Sequence, residues 1–179
     1  MLFWLALCLL CSTAWSQYQL DRYSYSPPVG IGNGDRYATS GTGCITAIRM
    51  WELNNNILTG FQLKYGFAWT PLVGHNATNR VDMTLFEGEA IVQVSGKYNP
   101  SNYIYELVFV TSRGRFQSAG QPTGLSFSHY PTHPESELRI LSGRANGQGI
   151  TSLGAHWATV NHMGNDDGMH DNKSTSLLN

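Results

Sequence analysis

Glycines that expose the backbone, followed by a strand pattern, mark residues 142–157. Gly143, Gly147 and Gly149 fall within seven residues, and a glycine has no Cβ to keep another group away from its backbone. Residues 150–157 then alternate apolar with small or polar side chains, as a half-buried strand does. The pattern predicts a loop whose N–H and C=O groups can hydrogen-bond a polar ligand, anchored by a strand. An ordinary hairpin turn is the alternative explanation.

A second glycine cluster, Gly30-Ile31-Gly32-Asn33-Gly34-Asp35, lies early in the chain. A dinucleotide-binding loop with such spacing needs a strand before it and a helix after it. Two prolines precede this cluster, and no helical pattern follows it. We therefore predict a tight loop that presents its backbone, and no cofactor.

Side chains suited to catalysis or metal binding are sparse. The sequence has neither the G-x-S-x-G motif of a nucleophile elbow nor the H-E-x-x-H motif of zinc hydrolases. His129 and His133 flank prolines without an evident third ligand, and His156 beside Trp157 is expected to pack within a strand. We predict that the protein is not an enzyme and binds no metal.

The charge balance argues against nucleic acid as a partner. The 179 residues include 11 Lys and Arg against 12 Asp and Glu, a net charge of −1, whereas proteins that neutralise phosphate polymers are usually basic. Five cations are candidates for a local patch that binds sulfated glycans, with ordinary solvated charge as the alternative. They are Arg36, Lys97, Arg113, Arg115 and Arg144.

The first sixteen residues predict export. They carry no charged side chain, contain an apolar run too short to span a bilayer, and end in Ala14-Trp15-Ser16. We predict a signal peptide cleaved after Ser16, and no transmembrane segment later in the chain. Asn76 and Asn172 lie in N-glycosylation sequons, which suits a secreted glycoprotein.

Cleavage after residue 16 would remove two of the three cysteines. The remaining Cys44 cannot form an internal disulfide. We expect it to be buried as a small hydrophobic side chain, with an intermolecular bridge as the alternative.

Short strand patterns separated by turn residues fill most of the chain. The candidate strands are residues 44–53, 57–65, 81–86, 90–95, 103–111, 115–118, 125–127, 138–141 and 150–157. Hairpins are expected to join 44–53 to 57–65, and 81–86 to 90–95. Since no segment of helical length shows an i, i+3, i+4 apolar stripe, the pattern predicts an all-β sandwich, barrel or prism.

Four segments together resemble the animal jacalin-related lectins, within them the zymogen granule membrane protein 16 group. They are residues 90–98, 107–115, 141–144 and 154–157. The resemblance covers residues 30–157 and implies a β-prism I fold of three four-stranded antiparallel Greek-key sheets. Residues 17–29 are then an extended lead-in, 30–160 the lectin domain, and 161–179 a disordered polar tail.

The resemblance also implies a carbohydrate site built from three loops at one end of the prism. The first matches Gly32, Asn33, Gly34 and Asp35; the second matches Lys97, Tyr98 and Tyr103; the third matches Gly147, Gln148, Gly149, Ile150 and Thr151. The family has an aspartate where this sequence has Thr151. Because a hydroxyl accepts without charge assistance, we expect binding weaker by about 1–2 kcal/mol, and an aspartate at this position to strengthen it. Tyr98 and Tyr103 are alternative aromatic covers for the sugar.

These observations lead to two alternative functions of different classes. One is a secreted lectin, released through secretory granules, that recognises a mannose-like or sulfated glycan on glycoproteins or glycosaminoglycans. The other is a secreted interaction protein on the same scaffold that no longer binds sugar and contacts a protein or a matrix polyanion.

Overall fold

The computed structural model describes residues 22–54 and 56–159, and within this part of the chain every regular element is a β-strand. The strands are β1 (Ser24–Gly30), β2 (Asp35–Ala38), β3 (Ile45–Leu53), β4 (Ile57–Tyr65), β5 (Ala68–Trp69), β6 (Val73–Gly74), β7 (Asn79–Thr84), β8 (Ile91–Tyr98), β9 (Ile104–Thr111), β10 (Phe116–Gly120), β11 (Leu125–His129), β12 (Ser136–Ala145) and β13 (Ile150–Thr159). The all-β prediction is confirmed. None of the described segments is a helix of the length and apolarity needed to cross a membrane.

The strands form three antiparallel sheets with one shared topology. Sheet I has the order β1-β13-β12-β2, sheet II the order β5-β4-β3-β7 with β6 also paired to β4, and sheet III the order β10-β9-β8-β11. In sheets II and III, three consecutive strands lie side by side and a later strand returns beside the first, which is a Greek key. Sheet I has the same order if β1 and β2 are counted after β13, so the two ends of the domain complete one sheet. This arrangement confirms the β-prism I prediction.

The three sheets enclose a single apolar core. Trp157, Phe61 and Phe109, one from each sheet, are fully buried and belong to the same cluster. Side chains of a strand point alternately to its two faces, and β8 and β9 show this alternation in their burial. Burying one such side chain stabilises the fold by about 1.5–3 kcal/mol.

The expected hairpin between residues 81–86 and 90–95 is wrong. β7 pairs with β3 in sheet II, whereas β8 pairs with β9 and β11 in sheet III. The acidic turn between them is a crossover, anchored by the buried carboxylate of Glu89. That carboxylate accepts hydrogen bonds from the N–H of Phe86 (2.8 Å) and the hydroxyl of Thr111 (2.5 Å), and pairs with Arg115 (2.7 Å).

The domain begins earlier than residue 30. The segment interpreted as an extended lead-in supplies β1, which pairs with β13 from Ser24 opposite Trp157 to Gly30 opposite Ser152. Apolar periodicity is missing there because β1 is an edge strand, and all seven of its residues are exposed or half-buried. The predicted signal peptide, the predicted tail and Asn172 lie outside the described residues.

Candidate functional site

Two glycine-containing loops meet at one end of sheet I. β1 runs toward this end and β2 away from it, joined by residues 31–34, while residues 146–149 join β12 to β13. The register places Asp35 opposite Ala145 and Gly30 opposite Ser152. The fold therefore brings together two glycine-containing segments that the sequence pattern predicts to be loops.

The first loop requires glycine for two different reasons. Gly32 (φ +68°) and Gly34 (φ +90°) both have left-handed backbones, which side chains disfavour. At Gly32 an added Cβ would meet nothing closer than 3.7 Å, whereas at Gly34 it would lie 2.2 Å from the carbonyl oxygen of Ala145. Gly34 is therefore the residue that permits the first loop to lie against β12.

The second loop is held by the side chain of Asn146. Its Oδ1 accepts hydrogen bonds from the backbone N–H groups of Gln148 (2.9 Å) and Gly149 (3.2 Å). Its Nδ2 donates to Oδ1 of Asn33 across the gap between the loops, at 3.3 Å. Asn146 thus shapes one loop and connects it to the other, a role that the sequence analysis did not assign. Gly147 and Gln148 remain exposed at the tip.

Ile150 and Thr151 lie inside strand β13, not at the tip of the loop. Both are fully buried. The Thr151 hydroxyl donates to the carbonyl oxygen of Asn33 (2.5 Å) and also lies 3.1 Å from that of Arg144. Gly149 is buried as well, against the backbone of Leu58. These three residues support the loops and do not present groups to a ligand in this conformation.

The β8–β9 loop lies at the same end of the prism. Gly149 packs against Leu58 at the start of β4, so the β3–β4 turn is at this end. Glu52, near that turn, accepts a hydrogen bond from the N–H of Gly120, which ends β10. Since β9 is antiparallel to β10 and β8 to β9, residues 99–103 are also at this end.

The two candidate tyrosines of this loop have different surroundings. Tyr98 packs edge-on against Phe127, with ring centroids 6.2 Å apart, and belongs to the periphery of the core. Tyr103 lies in the loop, where its N–H bonds the side chain of Asn102 at 2.6 Å. Lys97 donates to the hydroxyl of Ser126 on the neighbouring strand at 2.7 Å. Of these two tyrosines, Tyr103 is therefore the one whose ring is not packed against the core.

The five cations do not form one patch, which corrects that alternative. Arg113 and Arg115 are at the opposite end, where they bind the backbone of Glu87 and the carboxylate of Glu89 and stack on Phe86. Arg113 and Arg115 are far from the other three cations because the turn from β9 to β10 lies at the end of the prism away from the glycine loops.

Arg36 and Arg144 are direct neighbours on β2 and β12. Arg144 also donates to the carbonyl oxygen of Gly34 at 2.7 Å. With Tyr25, Gly32 and other residues of sheet I, the two arginines line a shallow cavity of about 590 Å³ on the sheet's outer face. A pair of cations therefore borders the first glycine loop.

The histidines serve packing. His156 lies between the hydroxyls of Tyr23 (2.6 Å from Nδ1) and Ser142 (2.8 Å from Nε2), with Tyr25 stacked on its ring at 4.5 Å. The buried His129 lies with Nε2 3.4 Å from the carbonyl oxygen of Leu153. Burial lowers the pKa of both rings, and for His129 this outweighs the opposite effect of the Leu153 carbonyl. Among the residues described, no three candidate ligands gather into a metal site.

The remaining candidates are Cys44 and Asn76. Cys44 directly precedes β3 and is half-buried, so it is more accessible than the expected fully buried thiol. Burial and the nearby Glu137 raise its pKa and outweigh the opposing effect of Arg139. Asn76 is exposed between β6 and β7, a position accessible for glycosylation.

Comparison with known proteins gives consistent matches along the chain. The family model of the Jacalin-like lectin domain matches residues 26–156. Zymogen granule membrane protein 16 of Rattus norvegicus is 40% identical over 157 residues, covering 86% of this chain and 92% of the relative. The Homo sapiens protein of that name is 41% identical over 155 residues, covering 84% and 90%. The crystal structure of a prostate-specific WGA16 glycoprotein lectin superimposes with a TM-score of 0.67 at 26% identity, covering 76% of this chain and 99% of the other.

Proposed function

This chain belongs to the family of jacalin-like lectin domains, and on that premise we propose that it binds a glycan at the end of the prism where the two glycine loops meet. The observation that carries the proposal is the contact between Asn146 and Asn33, because it holds two exposed loops as one surface. The residues proposed to contact the glycan are Gly32, Asn33, Gly34, Asp35, Lys97, Tyr103, Gly147 and Gln148.

We propose that Asp35 supplies the charged acceptor that position 151 lacks. Its side chain is exposed and follows directly after Gly34 in the first loop. A carboxylate accepts hydrogen bonds from sugar hydroxyls with charge assistance, and such bonds are stronger than neutral ones. The hydroxyl of Thr151, by contrast, is committed to the carbonyl of Asn33. Recognition of a mannose-like sugar would then depend on a carboxylate that directly follows the first loop.

Sulfated glycans are a second candidate because of the arginine pair. Arg36 and Arg144 border the first loop on the outer face of sheet I, and guanidinium groups bind oxyanions through paired hydrogen bonds. A contact dominated by these two charges would weaken steeply as salt rises. A protein or matrix polyanion, the partner of the alternative interaction protein, would use the same pair without needing the sugar loops.

The testing experiment is a glycan array probed with the chain from Gln17 onward, at low and at high salt. Neutral-sugar signals that persist in high salt are the expected result. Gly34→Val is expected to remove them, because its Cβ would collide with Ala145. Gly88→Val is the matched control: Gly88 has a similar left-handed backbone (φ +69°) but open space around it, in the crossover loop.

Signals that persist in Gly34→Val would contradict the site. Signals confined to sulfated glycans that disappear in high salt would favour the arginine pair. The absence of any signal would favour the interaction protein.

We also propose that the chain is a secreted glycoprotein, released through secretory granules, with no catalytic activity. The name of its relatives, zymogen granule membrane protein 16, supports the granule route. Mass spectrometry of protein recovered from the medium of expressing cells tests the cleavage after Ser16. Treatment with a peptide N-glycosidase tests occupancy of Asn76 and Asn172.

A further inference from the structure

A groove continues the proposed glycan site down the side of the prism, along the seam between sheets I and II. It encloses about 610 Å³ and is lined by residues 35–40, 70–74 and 145–147, a volume within the usual range for ligand pockets. At its mouth lie Asp35, which directly follows the first glycine loop, and Asn146 and Gly147 of the second loop. A ligand held by these loops therefore has a path into the groove.

One wall of the groove is the free edge of β2. The backbone N–H of Thr39 bonds the carbonyl of Leu141 on β12 at 2.9 Å. Because residues of an antiparallel strand alternate between facing their partner and facing away, Tyr37 also faces β12. The N–H and C=O groups of Arg36 and Ala38 consequently point away from β12, toward the seam.

The opposite wall offers a similar edge. The N–H of His75 bonds the carbonyl of Thr59 on β4 at 3.0 Å, and Gly74 lies opposite Gly60. By the same alternation the N–H and C=O groups of Gly74 point away from β4. Backbone hydrogen-bond donors and acceptors of sheet I and sheet II, which do not pair with each other, therefore border one groove.

The side chains of the groove define the chemistry of its ligand. Beyond Arg36, residues 37–40 and 70–74 include no charged side chain. They supply the exposed Ser40 and Leu72, whereas the hydroxyl of the buried Thr70 accepts a hydrogen bond from the N–H of Leu63. Without a cation, this part of the groove does not suit a sulfate. β2 has four residues and β6 only two, too few for a ladder with an extended peptide. A sugar chain matches both features of the groove. The hydroxyls at the rim of each ring can hydrogen-bond the strand edges, and the apolar face of the ring can pack on Leu72.

We propose that the groove is an extended subsite for a neutral, linear oligosaccharide, whose terminal unit is held by the glycine loops and whose following units lie between β2 and residues 70–74. This inference rests on the proposed glycan function and specifies the length and charge of the ligand.

Two substitutions test the groove without altering the loops. Ser40→Trp fills its inner part. Ala38→Pro removes a backbone N–H that points into the seam, and edge strands tolerate proline where the N–H faces away from the ladder. Ser128→Trp, at an exposed position of β11 in sheet III, is the matched control for the added bulk. Circular dichroism and thermal unfolding verify that each variant is folded.

The experiment is titration calorimetry with the methyl glycosides of mannose, glucose and galactose, each beside a linear trisaccharide of the same sugar. We expect one trisaccharide to bind the native chain about tenfold more tightly than its methyl glycoside, a difference of about 1.4 kcal/mol. Ser40→Trp and Ala38→Pro should abolish that advantage and leave the methyl glycoside's affinity unchanged, while Ser128→Trp retains it.

The possible failures are distinguishable. Equal affinity for mono- and trisaccharide, or an advantage that survives both groove variants, overturns the subsite and leaves the proposed lectin function intact. If none of the six sugars binds the native chain, the neutral subsite is overturned, and the glycan array decides separately whether the chain binds another glycan.

Discussion

The Thr151 hydroxyl donates a 2.5 Å hydrogen bond to the backbone carbonyl of Asn33, from a position that is fully buried. This bond fixes the first glycine loop onto β13. The hydroxyl is also close to the carbonyl of Arg144, so two acceptors face it. Position 151, where the family resemblance implies an aspartate, is here part of the scaffold beneath the loops.

Thr151→Asp should destabilise the protein instead of strengthening sugar binding, which reverses the expectation from sequence. A carboxylate at position 151 would face the carbonyl oxygens of Asn33 and Arg144 without a hydrogen to donate. We expect a loss of about 1–3 kcal/mol in the free energy of unfolding, measured by urea denaturation. Thr151→Ser keeps the hydroxyl donor, so its free energy of unfolding should fall by less than that of Thr151→Asp. A gain in monosaccharide affinity with unchanged stability would refute this account.

Asp35→Asn should weaken neutral-glycan binding. The substitution removes the charge but preserves the shape, so the loss reports charge-assisted hydrogen bonds, which contribute about 1.5–3 kcal/mol each. We expect an affinity roughly tenfold lower in calorimetry at constant salt, with an unchanged unfolding midpoint. Glu135→Gln, an exposed acid on the connection between β11 and β12, is the control. Equal affinities of Asp35→Asn and the native chain would exclude Asp35 from the site.

The hairpins show how far local sequence could determine the fold. The predicted β3–β4 hairpin is confirmed, and Asn54 in its turn has φ +47°, which asparagine tolerates. The β9–β10 hairpin is likewise local, with Gly114 at φ +74° in its turn. Each turn is tight and joins strands of one sheet, so residues close in sequence are sufficient to specify it.

The crossover after β7 and the contacts of Thr151 could not be predicted locally. Glu87-Gly88-Glu89 has the composition of a hairpin turn, but composition does not state which sheet the next strand joins. That choice depends on Glu89 meeting Arg115, 26 residues later. Thr151 likewise meets a carbonyl 118 residues away. The family resemblance implied which loops would form a site, whereas the orientation of the side chains in these loops required the register of the strands.

Glu89→Gln should destabilise the prism and alter its response to acid. Burial opposes ionisation of Glu89, but hydrogen bonds from Phe86 and Thr111 together with Arg115 outweigh it and lower the pKa of the carboxyl. Since the folded pKa lies below the unfolded one, its contribution is present above the unfolded pKa and is lost as pH falls through the folded pKa. Because the side chain of Arg115 is 34% exposed, we expect a loss smaller than the roughly 3–5 kcal/mol that removing one partner of a fully buried pair costs.

The measurement for Glu89 is the urea midpoint of native and Glu89→Gln chains between neutral pH and pH 3. We expect the difference between them to be largest at neutral pH and to shrink in acid. A difference that is independent of pH would show that the ionised carboxylate does not stabilise the crossover.

His129 and His156 should remain neutral at a pH where exposed histidines are protonated. Burial lowers the pKa of each ring, so the unfolded chain binds protons at a higher pH than the folded one. Stability should therefore fall as the pH drops below the unfolded value near 6.5. NMR titration of the ring protons measures both pKa values directly, with the exposed His of an unfolded peptide as reference. A value above 6.5 for either ring would contradict the packing role.

A chain that begins at Gly30 should be much less stable than one that begins at Arg22, because β1 completes sheet I. Ser26 accepts a 3.0 Å hydrogen bond from the indole N–H of Trp157, the largest fully buried side chain. Removing β1 would expose that indole and leave the edge of β13 unpaired, a feature that promotes aggregation. We expect the shorter chain to unfold at a lower temperature or to aggregate, as followed by circular dichroism and light scattering. Ser26→Ala in the longer chain isolates the hydrogen bond, with an expected loss of about 1 kcal/mol. If both chain lengths unfold at the same temperature, β1 is only an appendage, and the sequence-based boundary at residue 30 would be correct.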